Sequence, residues 1–176
     1  MNGLGRILAS ETNVSDLLAY FTEEDPSPWT ELLDVAPASV VREGRARTMK
    51  RADLLLQDAD GETIGAVEVK LGHHLGQEQS DWYLETFDAD VPLLLATLDP
   101  KDSRDELPDP RWKATGLPRL VRRWAKSSNA EVAVLAAAAA DVLESWAALI
   151  NAVSTGGAGQ GRSRSHGSPS RSWAGS

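Results

Sequence analysis

The stretch that most constrains the fold is a pair of short apolar runs separated by a turn in the middle of the chain. The runs are 51–57 and 64–71, and Asp60-Gly61 between them is a strong signal for a β-hairpin. Residues two apart in a strand point to the same face, so Glu68 and Lys70 share one side. Removing a carboxylate and an ammonium group from water on a half-buried strand has a large free-energy cost. The pattern therefore predicts two antiparallel strands that carry functional charges.

Two carboxylates in this hairpin suit a metal site. Asp53 lies on the first run and Glu68 on the second, so neighbouring strands can bring both to a hard cation such as Mg²⁺, which prefers oxygen ligands. A lysine beside them, Lys70, can position or deprotonate a metal-bound water and can stabilise charge on a phosphate. Glu-x-Lys alone is more typical of an exposed edge strand with an ion pair. The upstream aspartate shifts the interpretation towards a metal site.

These residues resemble the motif of the PD-(D/E)XK nuclease superfamily. Asp53 matches the motif aspartate and Glu68-Val69-Lys70 matches its Glu-x-Lys, while Ala52 stands where the proline of the name-giving pattern would be. The segment Gln79-Ser-Asp-Trp-Tyr83 resembles the Gln-x-x-x-Tyr element that one large branch carries on the following helix. Residues four apart lie on one helical face, so both side chains can point back at the site. The resemblance covers about residues 5–100.

The resemblance implies an α/β fold with a restriction-endonuclease-like core, a mixed sheet containing a three-stranded antiparallel meander and flanked by helices. It implies hydrolysis of phosphodiester bonds in DNA with Mg²⁺ or Mn²⁺ as the cofactor, and it leaves RNA open as a substrate. In this interpretation Asp53 and Glu68 hold the metal and Lys70 handles the attacking water. Gln79 and Tyr83 either support the site or touch the substrate.

The first long helix offers a third acidic residue. Ser10 to Phe21 has apolar residues at helical spacing, and Glu11 lies in its first turn. In some families of the superfamily a glutamate on the N-terminal helix reaches the metal, and the segment 11–20 resembles such a helix. Glu11 is therefore expected to complete the metal site, with Glu31 in reserve. The alternative is that Glu11 serves only the helix dipole.

Basic residues cluster in two segments that flank these elements. The segment 42–51 contains five basic residues and one acid, and 111–126 contains six basic residues and no acid, interleaved with Trp112 and Trp124. Such composition suits contact with a nucleic-acid strand through charge and stacking. Equally, the tryptophans can be buried in the core while the arginines are exposed to solvent. The candidate nucleic-acid contacts are Arg45, Arg47, Lys50, Arg51, Arg122 and Arg123.

The global charge argues against a protein that binds nucleic acid over its whole surface. The formal net charge is −8. All 26 acidic residues lie within residues 1–154, which contain 15 basic residues. Proteins that bind mainly through phosphates usually show a basic footprint. This supports a rival interpretation, a catalytically inactive module of the same fold that binds nucleic acid or a protein partner. A homodimer or a partner subunit that supplies DNA binding is also open.

Residues 1–154 are expected to form one nuclease-like domain, followed by a disordered Gly/Ser/Arg tail over 155–176. The absence of cysteine excludes disulfides and thiolate metal sites. No apolar run reaches the ~18 residues of a membrane span, and the N-terminus lacks a signal-peptide pattern, so a cytoplasmic protein is expected.

His73 and His74 are loop residues of open role. The other predicted elements are a helical turn (29–35), strands (39–47 and 92–98), a loop (99–110) and helices (75–87, 118–126 and 130–153), with 131–135 as an alternative final strand.

Overall fold

The computed structural model describes residues 3–45, 51–72, 75–98, 107 and 109–156, which form six α-helices, one 3₁₀ helix and five strands. The helices are α1 (Gly3–Ile7), α2 (Glu11–Glu24), α3 (Ser27–Leu33), α4 (Gln77–Thr86), α5 (Leu117–Val121) and α6 (Ala130–Gly156), and the 3₁₀ helix is Arg122–Lys126. The strands are β1 (Ser39–Arg45), β2 (Arg51–Gln57), β3 (Thr63–Lys70), β4 (Leu93–Thr97) and β5 (Trp112–Gly116).

The five strands form one mixed sheet in the order β1-β2-β3-β4-β5. β1 pairs antiparallel with β2, and β2 pairs antiparallel with β3. β4 and β5 then continue the sheet parallel to β3, so Lys70 pairs with Thr97, which pairs in turn with Gly116. The expectation of an α/β fold with a mixed sheet flanked by helices is confirmed. The carboxyl ends of β3, β4 and β5 share one edge of the sheet.

The β2–β3 hairpin closes through the chemistry of its turn. The Asp58 carboxylate accepts hydrogen bonds from the backbone N–H groups of Asp60 (3.0 Å) and Glu62 (2.9 Å). Gly61 adopts φ 84°, a left-handed conformation that residues with a β-carbon avoid. The turn therefore sets the register that brings Asp53 beside β3.

Apolar side chains form a core on each face of the sheet. The larger core packs α2, α3, the 3₁₀ helix and α6 against residues such as Val67 and Val69 of β3. The smaller core contains Tyr83 of α4 together with Ala66 and Trp112. Because side chains alternate along a strand, Glu68 points to the same face as Ala66, towards α4. The fold thus buries a carboxylate on the face that α4 covers.

The longest helix extends well beyond its core contacts. Val132, Ala136 and Leu143 of α6 are fully buried, whereas Leu149 and Val153 near its end are 64% and 77% exposed. By length and composition the stretch Ala130–Val153 could cross a membrane, so the expectation that no apolar run is long enough for a span is wrong. Its buried residues join the larger core.

Three local expectations differ from the structure. Residues 131–135 belong to helix α6, so the alternative final strand is wrong. The predicted helix over 118–126 is divided into α5 and a 3₁₀ helix. Helix α6 also continues to Gly156, two residues into the expected tail, and α1 and β5 were not predicted. The tail from 157 onward, His73, His74, Arg47 and Lys50 lie outside the described residues.

Candidate functional site

The centre of the site is the buried carboxylate of Glu68, whose side chain is 2% exposed. Its Oε1 atom lies 2.5 Å from Nζ of Lys70 and accepts a 2.6 Å hydrogen bond from Nε2 of Gln79. Its Oε2 atom accepts a 2.6 Å hydrogen bond from the hydroxyl of Tyr83. Three donors from β3 and α4 therefore hold one carboxylate in place. A buried charge is tolerated only with such partners.

Helix α4 positions two of these donors. Gln79 and Tyr83 are four residues apart and so lie on one helical face. The ring of Tyr83 is fully buried and packs edge-on against Trp112, with 4.9 Å between the ring centres. Burial, and then the charge of Glu68, raises the pKa of Tyr83 well above its ordinary value, so the phenol stays neutral and donates. Both side chains therefore support Glu68, and the buried Tyr83 cannot touch a substrate in this conformation.

Asp53 reaches β3 from the neighbouring strand. Its Oδ2 atom accepts a 2.7 Å hydrogen bond from the backbone N–H of Val69. Burial and the adjacent charge of Glu68 raise the pKa of Asp53 to about 7, although the Val69 hydrogen bond and Lys70 oppose the shift. The raised pKa of Asp53 therefore reflects its burial first and its repulsion by the Glu68 carboxylate second.

Glu11 joins the site from the first residue of α2. Its Oε1 atom accepts a 3.0 Å hydrogen bond from the backbone N–H of Leu71, just after β3. Its Oε2 atom lies 3.7 Å from Nζ of Lys70. The glutamate therefore does more than complement the helix dipole, because it ties α2 to the carboxyl end of β3.

Lys70 lies between the carboxylates of Glu68 and Glu11, and its side chain is 14% exposed. Burial lowers the pKa of Lys70, but attraction to Glu68, Glu11 and Asp53 outweighs this effect and leaves the pKa raised. The side chain is therefore an ammonium group that can donate hydrogen bonds and stabilise negative charge.

The side chains of the site have the charge and the oxygen atoms that suit a divalent cation. Three carboxylates, those of Glu11, Asp53 and Glu68, face the single ammonium of Lys70, and oxygen ligands of this kind suit Mg²⁺ or Mn²⁺. Within the described ranges, however, no three His, Cys, Asp or Glu side chains already stand at metal-binding spacing. Asp53 and Glu68 would hold the ion. Glu11 would become a third ligand once the ammonium group of Lys70 moved away from its position between Glu68 and Glu11.

The basic candidates occupy different surroundings. Arg122 forms ion pairs with Asp141 (2.7 Å) and Glu144 (2.9 Å) of α6. Arg123 lies 2.8 Å from Glu31, so the reserve candidate for the metal site instead neutralises an arginine. These two arginines are paired within the protein.

The candidates of the first basic segment are only partly described. Arg51 lines a cavity of about 370 Å³ together with Gln79 and Trp82, which places it beside the site. The backbone of Arg45 pairs with Arg51 across β1 and β2, while its side chain is outside the described residues.

Both tryptophans of the second basic segment belong to the core. Trp124 is fully buried and its indole N–H donates to the carbonyl of Asp25 (2.7 Å). Trp112 is 3% exposed and donates to the hydroxyl of Ser80 on α4 (3.0 Å). Of the two alternatives, the one that places both tryptophans in the core is confirmed, and bases cannot stack on these rings because neither is accessible.

The sequence analysis missed the residues that anchor α4. Arg111 donates hydrogen bonds to the carbonyls of Asp88 (2.5 Å), Phe87 (3.0 Å), Val91 (3.4 Å) and Leu84 (3.5 Å) around the end of this helix. A basic residue near carbonyls at a helix end is favourable, but no local pattern links position 111 to α4. Alternation of Trp112, Lys113 and Ala114 was the available signal for β5.

Comparisons with protein-family models, with curated proteins and with solved structures found no match to this chain.

Proposed function

We propose that this chain is a metal-dependent nuclease that hydrolyses phosphodiester bonds in DNA. The supporting observation is the convergence of Asp53, Glu68, Lys70 and Glu11, from two strands and one helix, at the carboxyl end of β3. The proposal includes a restriction-endonuclease-like core in which β1, β2 and β3 form the antiparallel meander. It also includes a cytoplasmic location and RNA as a second substrate to be tested.

Asp53 and Glu68 would hold Mg²⁺ or Mn²⁺, with Glu11 completing the site. The bound ion would supply Lewis-acid stabilisation of the phosphate and an acidified water. Lys70, protonated because of the surrounding carboxylates, orients the attacking water and stabilises the negative charge that develops on the phosphate. Gln79 and Tyr83 keep the Glu68 carboxylate in one orientation.

The direct test is cleavage of linear duplex, circular duplex, single-stranded DNA and RNA in Mg²⁺, Mn²⁺ or EDTA. We expect cleavage of DNA with either ion and none in EDTA or with Asp53→Ala. The four substrates separate endonuclease from exonuclease activity, since only an endonuclease cuts the circle. Metal-independent cleavage, or cleavage that survives Asp53→Ala, would contradict the proposal.

A second candidate is a catalytically inactive module that binds nucleic acid or a protein partner. The observation that favours it is the saturation of Glu68, whose two oxygens already accept from Lys70, Gln79 and Tyr83. In such a module Lys70 would replace the metal permanently. Nucleic-acid binding in EDTA, without cleavage or a Mg²⁺-dependent rise in melting temperature, would favour this candidate.

A further inference from the structure

A groove of about 770 Å³ lies beside the 3₁₀ helix, between α3 and the last turns of α6. This volume is within the range of ligand-binding clefts in proteins. Its walls come from several elements, including Pro28 of α3, Gly116 of β5 and Asn151 of α6. Its basic lining residues are Arg119, Arg122, Arg123 and Lys126, and its acidic lining residues are Asp25, Glu31 and Glu144.

The four basic residues share one helical face. Their spacing of three, four and seven residues repeats the turn of a helix, so their side chains project in one direction from α5 and the 3₁₀ helix. The opposite face is formed by Leu120, Val121 and Trp124, which are fully buried. The packing of that apolar face keeps the charged face in the groove.

Only two of these cations are available to a ligand. Arg122 is paired with Asp141 and Glu144, and Arg123 is paired with Glu31. Arg119 and Lys126 are exposed, and neither has an ion-pair partner in the part of the chain that the structure describes. These two residues are seven positions apart, and both line the groove.

The groove includes two residues at the sheet edge that carries the candidate site. Leu98 and Gly116, which line it, are adjacent to Thr97, the residue paired with Lys70. The backbone N–H of Leu98 also donates to the carbonyl of Lys70 (3.3 Å). Neighbouring strands are ~4.8 Å apart, so Gly116 lies about 10 Å from the end of β3. The groove lies on the larger-core side of the sheet and Glu68 on the opposite side, so one extended polyanion that contacts both must pass over the carboxyl ends of β3, β4 and β5.

We propose that this groove binds the phosphodiester backbone of the nucleic acid, with Arg119 and Lys126 contacting phosphates next to the bond that is cut. The part that concerns the cut bond rests on the proposed nuclease function. Because Trp112 and Trp124 are buried, the contact is made through charge rather than base stacking. Binding in the groove is therefore independent of base sequence.

The test measures binding in EDTA, where no cleavage occurs. Fluorescence anisotropy of labelled duplex DNA, single-stranded DNA and RNA of one sequence is recorded over a range of KCl concentrations. Arg119→Ala/Lys126→Ala is compared with Arg6→Ala/Lys113→Ala, which removes the same charge from exposed positions outside the groove. The plot of log K against log salt has a negative slope. In the groove variant only, this slope should become less negative by about 1.8 for duplex DNA or about 1.4 for a single strand.

The outcomes separate this inference from the nuclease proposal. The groove proposal is overturned if the wild type binds nucleic acid and the two double variants show equal slopes of log K against log salt, even when cleavage is intact. Absence of wild-type binding to all three nucleic acids overturns it as well. Weaker binding of the groove variant without any wild-type cleavage supports the groove and contradicts the nuclease. If the double variant fails to fold, Arg119→Gln and its charge-preserving control Arg119→Lys give the same comparison, with recovery expected only for lysine.

Discussion

The hydroxyl of Tyr83 donates a 2.6 Å hydrogen bond to Oε2 of Glu68, and both residues are buried. The bond joins α4 to β3 across the smaller core and occupies the oxygen that Lys70 and Gln79 leave free. A buried carboxylate that loses a donor keeps its desolvation cost without compensation. Tyr83 therefore determines both the stability of the site and the direction in which Glu68 points.

Tyr83→Phe should lower the free energy of unfolding by about 1.5–3 kcal/mol, the range for hydrogen bonds to charged groups. The ring is retained, so the loss measures the hydroxyl alone. Urea unfolding of the metal-free protein gives the value. Tyr20→Phe is the matched control, because the Tyr20 hydroxyl has no hydrogen bond within the described residues and should cost almost nothing. Equal effects of the two substitutions would exclude a special role for the Glu68 contact.

Lys70→Ala should reduce cleavage by about 10²–10³-fold or more, since positioned charge at one group contributes this much to rate. Divalent binding should persist or tighten, because the ammonium competes with the metal for Glu68 and is not a ligand. Asp53→Ala should abolish both cleavage and the Mg²⁺-dependent rise in melting temperature. Thermal unfolding with and without Mg²⁺, alongside cleavage rates, separates the two variants. Loss of the Mg²⁺ shift in Lys70→Ala would contradict the assigned roles.

Arg111→Ala should destabilise the protein through α4, because four backbone carbonyls around the end of that helix lose a donor. Arg111→Lys should recover little of the stability, since an ammonium group cannot reproduce the planar array of guanidinium donors. Arg6→Ala serves as the control, as Arg6 is exposed on α1. Chemical denaturation should show a fall of roughly 1–3 kcal/mol for Arg111→Ala and no measurable change for the control.

The parts of the site that depend on short-range patterns could be predicted from the sequence. Period-two alternation placed Glu68 and Lys70 on one face, and the four-residue spacing placed Gln79 and Tyr83 on one side of α4. The structure shows these four side chains in contact around Glu68. Whether the cluster binds metal or cleaves DNA remains a prediction.

Features that depend on distant residues could not be predicted in the same way. The local signal for β5 is the short alternation of Trp112, Lys113 and Ala114, and its pairing with β4 spans the charged segment between them, so nearby residues alone could not predict the strand. Arg122 looked available in the sequence because its partners, Asp141 and Glu144, lie 19 and 22 residues away. The distinction between paired Arg122 and available Arg119 requires the packing of α6 on the 3₁₀ helix.

The metal-free protein should lose stability as the pH rises through the titration range of Asp53. Burial and the charge of Glu68 raise the pKa of this acid from 3.8 to about 7 in the folded state. The folded protein therefore binds the proton more tightly than the unfolded chain, and the free energy of unfolding falls between about pH 4 and pH 7. In EDTA the melting temperature of the wild type relative to Asp53→Asn should fall by a few degrees over this interval. Because metal binding requires the deprotonated acid, Mg²⁺ should raise the wild-type melting temperature more at pH 8 than at pH 5. A constant difference between wild type and Asp53→Asn across this range would show that Asp53 does not titrate near neutrality.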